Sequence, residues 1–192
     1  MGMVFEHIDE KLRAFIEAQP VFFVATAPSG SDGHVNVSPK GGANMFRVTG
    51  PHGFAYVDML GSGIETVAHM RENGRVCVMF AAFAGPPKIV RLHGRGRVVQ
   101  QGEAEFDDLL DSFALEPRQL QAVRSIVMVD VTRIADACGY AVPEMRFERE
   151  RDQLLRFADN RIRKEGPDAV RRYSTVSNAS SIDGLTGIDP LV

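Results

Sequence analysis

The residues best suited to bind a ligand are Gly61, Ser62 and Gly63, which lie between an apolar strand pattern and an amphipathic helix. Glycines allow the backbone to turn tightly and to approach a ligand closely. A helix that begins after such a turn presents unpaired N–H groups and the positive end of its dipole. A phosphate group suits that position. The sequence also leaves open that Ser62 only caps its own helix and that the glycines only form the turn.

The elements that position this turn follow from hydrophobic periodicity. Phe54 to Met59 predicts a buried strand before the turn, and Val76 to Phe80 predicts another strand after the helix. Ser62 and Glu65 have the spacing of a capping box, so we expect the helix to begin at this serine. Gly74 is expected to end it in a left-handed conformation.

A second polar group lies on the strand pattern from His34 to Lys40. Because side chains alternate along a strand, one face carries Asn36, Ser38 and Lys40, and the other carries Val35, Val37 and Pro39. Two glycines follow Lys40, which would let both the backbone and the ammonium group approach a ligand. The same pattern fits the polar face of a solvated strand, and both interpretations stay open.

A third pattern covers the long strand predicted from Lys88 to Val99. Its apolar face contains Val90, Leu92, Gly94, Gly96 and Val98, and its basic face contains Arg91, His93, Arg95 and Arg97. The basic face fits an anion site, a subunit interface or solvated surface. It contains no interleaved aromatic residues, so it does not indicate a groove for nucleic acid.

Composition excludes several classes of function. The chain has 192 residues, a net charge of -3 and 44% hydrophobic residues, so it has no basic field for nucleic acid or an anionic membrane. No apolar run approaches the roughly 20 residues of a membrane span, and the N-terminus lacks the order of a signal peptide. We therefore expect a cytoplasmic protein.

Motifs of known chemistry are also missing from the sequence. The five histidines and two cysteines lack the spacing of a metal site, and His69 is expected on the solvated side of its helix. No G-x-S-x-G, Walker or H-E-x-x-H motif is present, so hydrolase and nucleoside-triphosphatase functions have no support.

The order of elements predicts a mainly β fold with helices (α+β). Strands are interrupted by a helix in a way that fits a small closed or half-closed barrel better than a doubly wound parallel sheet. We expect one domain over residues 1–165, with an N-terminal helix at 7–18 and a C-terminal helix at 148–164. Residues 166–192 turn to Ser, Thr, Asn, Gly and Asp and are expected to form an irregular tail.

Three stretches of the chain resemble the pyridoxamine 5′-phosphate oxidase-related, FMN-binding split-barrel proteins. They are the hairpin of residues 21–27 and 35–41, the strand, turn and helix of residues 56–76, and the later elements at 89–99 and 138–143. Together they span about residues 7–158. The resemblance implies a six-stranded split β-barrel of the FMN-binding type, and a homodimer with FMN at the subunit interface.

The resemblance also implies which residues bind the cofactor. The matching positions, with Ser38 from the same polar strand face, are Asn36, Ser38, Lys40, Gly61, Ser62, Gly63, Glu65, Thr66 and Arg91. Many members place an Arg-Lys pair after the serine, whereas this chain has Gly63 and Ile64 there. The phosphate would then depend on N–H groups, hydroxyl groups and Lys40. The residues with which true pyridoxamine phosphate oxidases grip their substrate have no clear match, so vitamin B6 synthesis is not predicted.

The function implied is that of an FMN-dependent oxidoreductase acting on an unknown small molecule, with no metal and no catalytic residue identified. A non-catalytic module of the same fold, binding flavin, deazaflavin or haem, is the alternative. A structural dimer that has lost its cofactor is a third interpretation.

Overall fold

Alternating apolar residues build one curled antiparallel sheet in the computed structural model, which describes residues 2–189. The strands are β1 (Val4–Phe5), β2 (Val21–Thr26), β3 (Asn36–Gly41), β4 (Phe46–Gly50), β5 (Gly53–Met59), β6 (Arg75–Ala81), β7 (Ile89–Gln100) and β8 (Val123–Ala137). The helices are α1 (Glu10–Glu17), α2 (Glu65–Asn73), α3 (Phe106–Asp111), α4 (Pro117–Leu120), α5 (Gln153–Glu165) and α6 (Ala169–Ser177).

The sheet runs in the order β3-β2-β6-β7-β8-β5-β4, with β1 paired to β8. This arrangement confirms the mainly β fold with helices. The number of strands differs from the expected six, because β1 and β4 were not predicted. Only two residues form β1, and β4 has just Phe46 and Val48 as apolar residues. Both patterns are too short to stand out in a sequence.

The main core lies inside the curl of the sheet and is rich in aromatic side chains. Phe22 lies at its centre, with its ring centroid 5.5 Å from those of Tyr56 and Phe80 and 5.6 Å from that of Phe54. A second cluster of buried residues lies beneath α3 and contains Met45, Ala55, Val57, Val99, Phe106, Phe113 and Ile126. The two clusters fix β5, β7 and β8 from both faces.

Strands β2 and β3 form the predicted hairpin, with Val21 opposite Gly41 and Thr26 opposite Asn36. The two faces of β3 separate as expected, but the polar face is the half-buried one. On the other face, Val35 and Val37 are 73% and 61% exposed. Because β3 is at the edge of the sheet, the sheet leaves an apolar surface uncovered there.

The predicted faces of β7 are also observed. Val90 and Leu92 are fully buried and Gly96 packs against Met70, whereas Arg95 and Arg97 are exposed. The basic residues at the exposed end contact neighbouring surface groups, as when Arg97 pairs with Glu105 of the segment before α3.

The predicted start of α2 is wrong. The helix begins at Glu65, its N-cap is Ile64 without a side-chain hydrogen bond, and Ser62 is exposed. The chain enters the helix late because other side chains hold the carbonyl groups of the preceding turn. The predicted end is correct, since Gly74 has a φ of 68° and donates its N–H to the carbonyl of Met70.

The expectation that His69 is solvated is wrong as well. Its side chain is completely buried, because α2 packs on β2 on one side and the chain after α6 covers it on the other. The apolar stripe of α2 is buried as predicted, and it consists of Ile64, Val67, Ala68 and Met70.

The C-terminal region is more ordered than the sequence indicated. The predicted helix starts at Gln153 instead of residue 148, and α6 occupies part of the segment that was expected to be irregular. Ala169, Val170 and Ser174 form a buried face on this short helix. The rings of Phe157 and Tyr173 meet at 5.4 Å, so α6 packs on α5. No helix among residues 2–189 is long and apolar enough to cross a membrane.

Candidate functional site

A cavity of about 360 Å³ lies where β3, β5, the turn before α2, β8 and α5 meet. Its volume is at the lower end of the range for small-molecule sites. The polar side chains and glycines of its wall are Ser38, Lys40, Gly41, Gly61, Gly63, Glu65, Thr66 and Arg124. The apolar side is formed by Phe22, Pro39, Met45, Val57, Met59, Leu60 and Leu154. The cavity therefore has one polar end, which carries Lys40, Arg124 and Glu65, and one apolar wall.

Asp58 is the acidic centre of this polar end. It is fully buried at the end of β5, and its Oδ1 atom lies 3.1 Å from Nζ of Lys40. The Oδ2 atom accepts hydrogen bonds from Nε of Arg124 at 2.8 Å and from the hydroxyl of Ser125 at 3.1 Å. Two cations and one carboxylate leave a net positive charge on this cluster.

The electrostatics of the cluster keep Asp58 ionised. Burial alone would raise the pKa of this carboxyl group, but the Lys40 ammonium and the Arg124 guanidinium outweigh burial and hold the pKa at about 2, below its ordinary 3.8. Burial and the nearby Asp58 charge also raise the pKa of Tyr56 well above its usual range. The Tyr56 hydroxyl has no hydrogen-bond partner among the described residues.

Arg124 and Asn178 hold the turn before α2 by its carbonyl oxygens. Nη1 of Arg124 donates to the carbonyl of Gly63 at 3.0 Å, and Nδ2 of Asn178 donates to that of Gly61 at 3.0 Å. Arg124 also donates to Oδ1 of Asn178 at 2.9 Å, and Asn178 is completely buried. Nη2 of Arg124 makes no hydrogen bond within residues 2–189, so it is available to a ligand.

The backbone N–H groups of this turn are also available to a ligand. Between Gly61 and Val67, none of them donates to an acceptor among the described residues, and the first such bond runs from Ala68 to the carbonyl of Ile64. Because a peptide N–H points away from its carbonyl, anchoring the carbonyls on Arg124 and Asn178 leaves the amides free on the other side. Free amides at the start of a helix form an anion site.

Two hydroxyl groups complete the polar wall. Nδ2 of Asn36 donates to Oγ1 of Thr66 at 2.9 Å, and the Ser38 hydroxyl donates to Oδ1 of Asn36 at 3.2 Å. Since Thr66 accepts from an amide that can only donate, its own hydrogen is free to point elsewhere. Thr66 lines the cavity and can therefore donate to an acceptor placed in it.

His69, one turn after Thr66 on α2, is a buried histidine. Nδ1 of His69 lies 3.0 Å from Oγ1 of Thr26. Nε2 has no hydrogen-bond partner within residues 2–189 and lies 4.0 Å from Oδ2 of Asp183. Burial lowers the pKa of His69, against an opposing effect of the carboxylates of Asp183, Glu65 and Glu72. The imidazole is thus a neutral support of the site and does not face the cavity.

The structure brings together six of the nine residues that the sequence indicated. Ser38, Lys40, Gly61, Gly63, Glu65 and Thr66 all line the cavity. Asn36 lies behind Thr66, and Ser62 is exposed beside the turn. Arg91 lies on the outer face of the sheet, across from Met79 and near Cys77 and His93. Within one chain it does not reach the cavity, and its contact with a cofactor stays a prediction.

Asp58, Arg124 and Asn178 are site residues that were not predicted from the sequence. One signal was available, because an aspartate inside the apolar run of β5 must find a cation when it is buried. Nothing local indicated that this cation is Arg124 on β8 or that Asn178 joins it, since these residues lie 66 and 120 positions beyond Asp58.

A larger and more open cavity of about 700 Å³ lies near α1 and Phe113. Two arginines line it, but Arg13 donates to the carbonyl of Val48 and Arg47 donates to that of Ser112. It collects none of the nine predicted residues, so the smaller cavity is the better candidate.

Comparison with known proteins identifies the family. A family model described as pyridoxamine 5′-phosphate oxidase matches residues 8–136. The chain belongs to the pyridoxamine 5′-phosphate oxidase family. A curated member, the pyridoxamine 5′-phosphate oxidase family protein ustO of Aspergillus flavus, is 34% identical over 202 aligned positions, which cover 98% of this chain and 78% of the relative.

Solved structures support the split-barrel fold of this family member. The Group A Streptococcus protein HupZ superposes with a TM-score of 0.50 at 18% identity, over 66% of this chain and 91% of its own. A protein of Syntrophomonas wolfei named as FMN-binding superposes with a TM-score of 0.51 at 15% identity, over 67% of this chain and 84% of its own. The predicted family and the predicted split-barrel fold are confirmed.

Proposed function

We propose that this chain is a flavoprotein that binds FMN in the cavity beside α2 and transfers hydride or electrons through it to a small substrate. The observation that carries the proposal is the meeting of Lys40, Arg124 and Thr66 with the free amides of the turn at one end of one cavity. The FMN-binding name of the Syntrophomonas wolfei protein, which shares the fold, agrees with this choice of cofactor.

The residues present fit a flavin phosphate. A phosphate dianion needs several donors and positive charge, and the polar end offers the amides of residues 61–67, the Thr66 hydroxyl and Nη2 of Arg124. Arg124 reaches the turn from β8 and supplies a guanidinium to a turn that lacks the Arg-Lys pair many family members place after the serine. The apolar wall of Met45, Val57, Met59 and Leu154 suits a ring system.

Bound FMN would supply the redox chemistry. The protein's own residues then have to bind it, orient it and exclude water. Lys40 and Arg124 neutralise the phosphate, and Asp58 holds both cations in place. Leu154 of α5 covers the cavity from the side of the C-terminal helices. Glu65, the acidic side chain in the wall, lies at the entrance to α2, and no residue is assigned to proton transfer.

Absorbance of the purified protein tests this proposal. We expect visible flavin bands, or their appearance and fluorescence quenching when FMN is titrated into the flavin-free protein, followed by bleaching with a reduced nicotinamide under anaerobic conditions. Flavin that is retained but not bleached would instead favour a non-catalytic binding module. Failure to bind FMN at micromolar concentration would contradict the proposal.

We also propose that the protein is a homodimer. The apolar face of edge strand β3, with Val35 and Val37 exposed beside half-buried Phe23 and Ala25 of β2, needs a cover. Val37→Lys places a charge at its centre without touching the cavity. We expect sedimentation to show a dimer for the parent and a monomer or a much weaker dimer for this variant. A parent that sediments as a monomer at micromolar concentration would contradict the proposal.

A further inference from the structure

The chain after α6 folds back over the entrance to α2 and is anchored there at several points. Ile188 is buried against Ile64 and Val67, and the backbone of Gly187 lies against Ile64. Arg71 of α2 donates to the carbonyl of Gly187 and pairs with Asp189. We call residues 178–189 the C-terminal strap. It lies outside the residues that the family model matches, which end at 136.

Asn178 is the first residue of the strap and the one that reaches the turn of the candidate site. Its side chain is completely buried and makes both kinds of hydrogen bond, since Nδ2 donates to the carbonyl of Gly61 at 3.0 Å and Oδ1 accepts from Arg124 at 2.9 Å. Its own carbonyl accepts from the amide of Ile188, so the two ends of the strap are tied together.

We propose that Asn178 is a positioning residue that holds the Gly61–Gly63 turn with its carbonyl groups inward and its amides free for an anion. The assignment deepens the proposed function and rests on it where the anion is the FMN phosphate. Three glycine and serine residues in a row have few conformational restraints of their own. Arg124 alone fixes the carbonyl of Gly63. Asn178 makes the shorter bond to the carbonyl of Gly61, at 3.0 Å against 3.5 Å from Arg124, and fixes the guanidinium itself.

A pair of variants separates this role from general stabilisation by the strap. Asn178→Ala removes the side-chain contact with the turn. Asp189→Ala removes the side-chain contacts of the strap with Arg71 and Gln100 and leaves the turn alone. In the flavin-free protein, ¹⁵N relaxation should show rigid amides at residues 61–63 in the parent and in Asp189→Ala, with order parameters of about 0.85, and values below about 0.6 in Asn178→Ala.

Affinity for two flavins supplies the second measurement. Asn178→Ala should weaken FMN binding by about three- to tenfold, as expected for one or two lost hydrogen bonds, and should leave riboflavin binding unchanged because riboflavin has no phosphate. Equal weakening of both flavins, or an unchanged affinity for FMN, would overturn the assignment. Unchanged order parameters at residues 61–63 would overturn it as well.

The outcomes also keep this inference apart from the proposed function. If the parent binds neither flavin, the proposed function fails, and the relaxation measurement alone decides whether Asn178 holds the turn. If Asn178→Ala does not fold, Asn178→Asp takes its place. Aspartate has the same size and still accepts from Arg124, but it cannot donate to Gly61, so the same loss of order and of FMN affinity is expected.

Discussion

Nζ of Lys40 lies 3.1 Å from Oδ1 of Asp58, and this ion pair joins two strands that are not neighbours in the sheet. Lys40 belongs to the edge strand β3, and Asp58 lies near the end of β5. The pair therefore bridges the open side of the curled sheet at the mouth of the candidate site. Arg124 contacts the same carboxylate from β8, so one buried acid connects three strands.

Lys40→Ala should weaken FMN binding by about 1.5–3 kcal/mol, the usual range for hydrogen bonds to charged groups. The variant loses a cation at the cavity and leaves the Asp58 carboxylate with less neutralisation. The fold should persist, because Asp58 keeps its bonds from Arg124 and Ser125. Fluorescence titration measures the affinity, with Lys11→Ala on the exposed side of α1 as the matched control. An unchanged affinity would remove Lys40 from the site.

The buried carboxylate predicts a specific dependence of stability on pH. The folded-state pKa of Asp58 is about 2, below the ordinary 3.8, so ionised Asp58 favours the folded state. Its contribution, about 2 kcal/mol on this difference, is complete above about pH 4 and is lost as the pH falls from about 4 to 2. Asp58→Asn has no such titration and should be less stable than the parent at pH 7, by about 3 kcal/mol or more.

Urea unfolding at pH 7, 4 and 3 measures this difference. The gap in unfolding free energy between the parent and Asp58→Asn should narrow as the pH falls below 4. Asp111→Asn, at an exposed position in α3, provides the control and should change stability little at any of these values. A gap that stays constant down to pH 3 would contradict the assignment of Asp58 as an ionised partner of Lys40 and Arg124.

Glu65→Gln should strengthen FMN binding, although the sequence placed Glu65 among the cofactor-binding residues. Its carboxylate folds back towards Gly63, at the helix entrance where the free amides lie. A phosphate brought there would be repelled by this charge, and glutamine removes the charge at nearly constant size. We expect a few-fold gain in affinity, of the order of 1 kcal/mol or less. A clear loss would show that the carboxylate contributes to binding.

Ser62→Asp adds a negative charge to the turn before α2 and should weaken FMN binding, whereas Glu65→Gln should strengthen it. Ser62 is exposed and makes no capping hydrogen bond to the described part of the chain, so the variant should melt like the parent without flavin. With FMN, the new carboxylate lies beside the free amides that would hold the phosphate, and charge repulsion should weaken binding. Thermal melting and flavin titration of the same preparation give both results. Normal FMN binding by this variant would contradict the assignment of the turn as the site of the FMN phosphate.

Much of the fold could be predicted because strand and helix periodicities are local. The hairpin of β2 and β3, the sequence β5-turn-α2-β6 and the faces of β7 all follow from spacing within a few residues. The start of α2 could not be predicted. Ser62 and Glu65 satisfy a local capping rule, but Arg124 and Asn178, which lie far along the chain, hold the turn in another conformation. His69 was wrongly predicted to be solvated because the chain after α6, which helps to cover it, is also far away in the sequence.

The site was predictable only on the side that the local pattern builds. Alternation along β3 gave Ser38 and Lys40, and the glycine turn gave Gly61 and Gly63, whereas the charges that complete the cluster come from elements without a recognisable motif. Burial of the two faces of β3 could not be predicted from the sequence either. Period two separates Val37 from Ser38, but it cannot tell which face the rest of the protein covers.

The position of Asn178 in the chain has a consequence for biosynthesis. A protein is made from its N-terminus, and its elements form as they leave the ribosome. The eight strands that the structure describes are present once Ala137 has emerged. The asparagine that holds the Gly61 carbonyl, at position 178, comes 41 residues after position 137. The sheet can therefore assemble while the turn is held by Arg124 but not yet by Asn178. The candidate site therefore matures after the sheet that surrounds it.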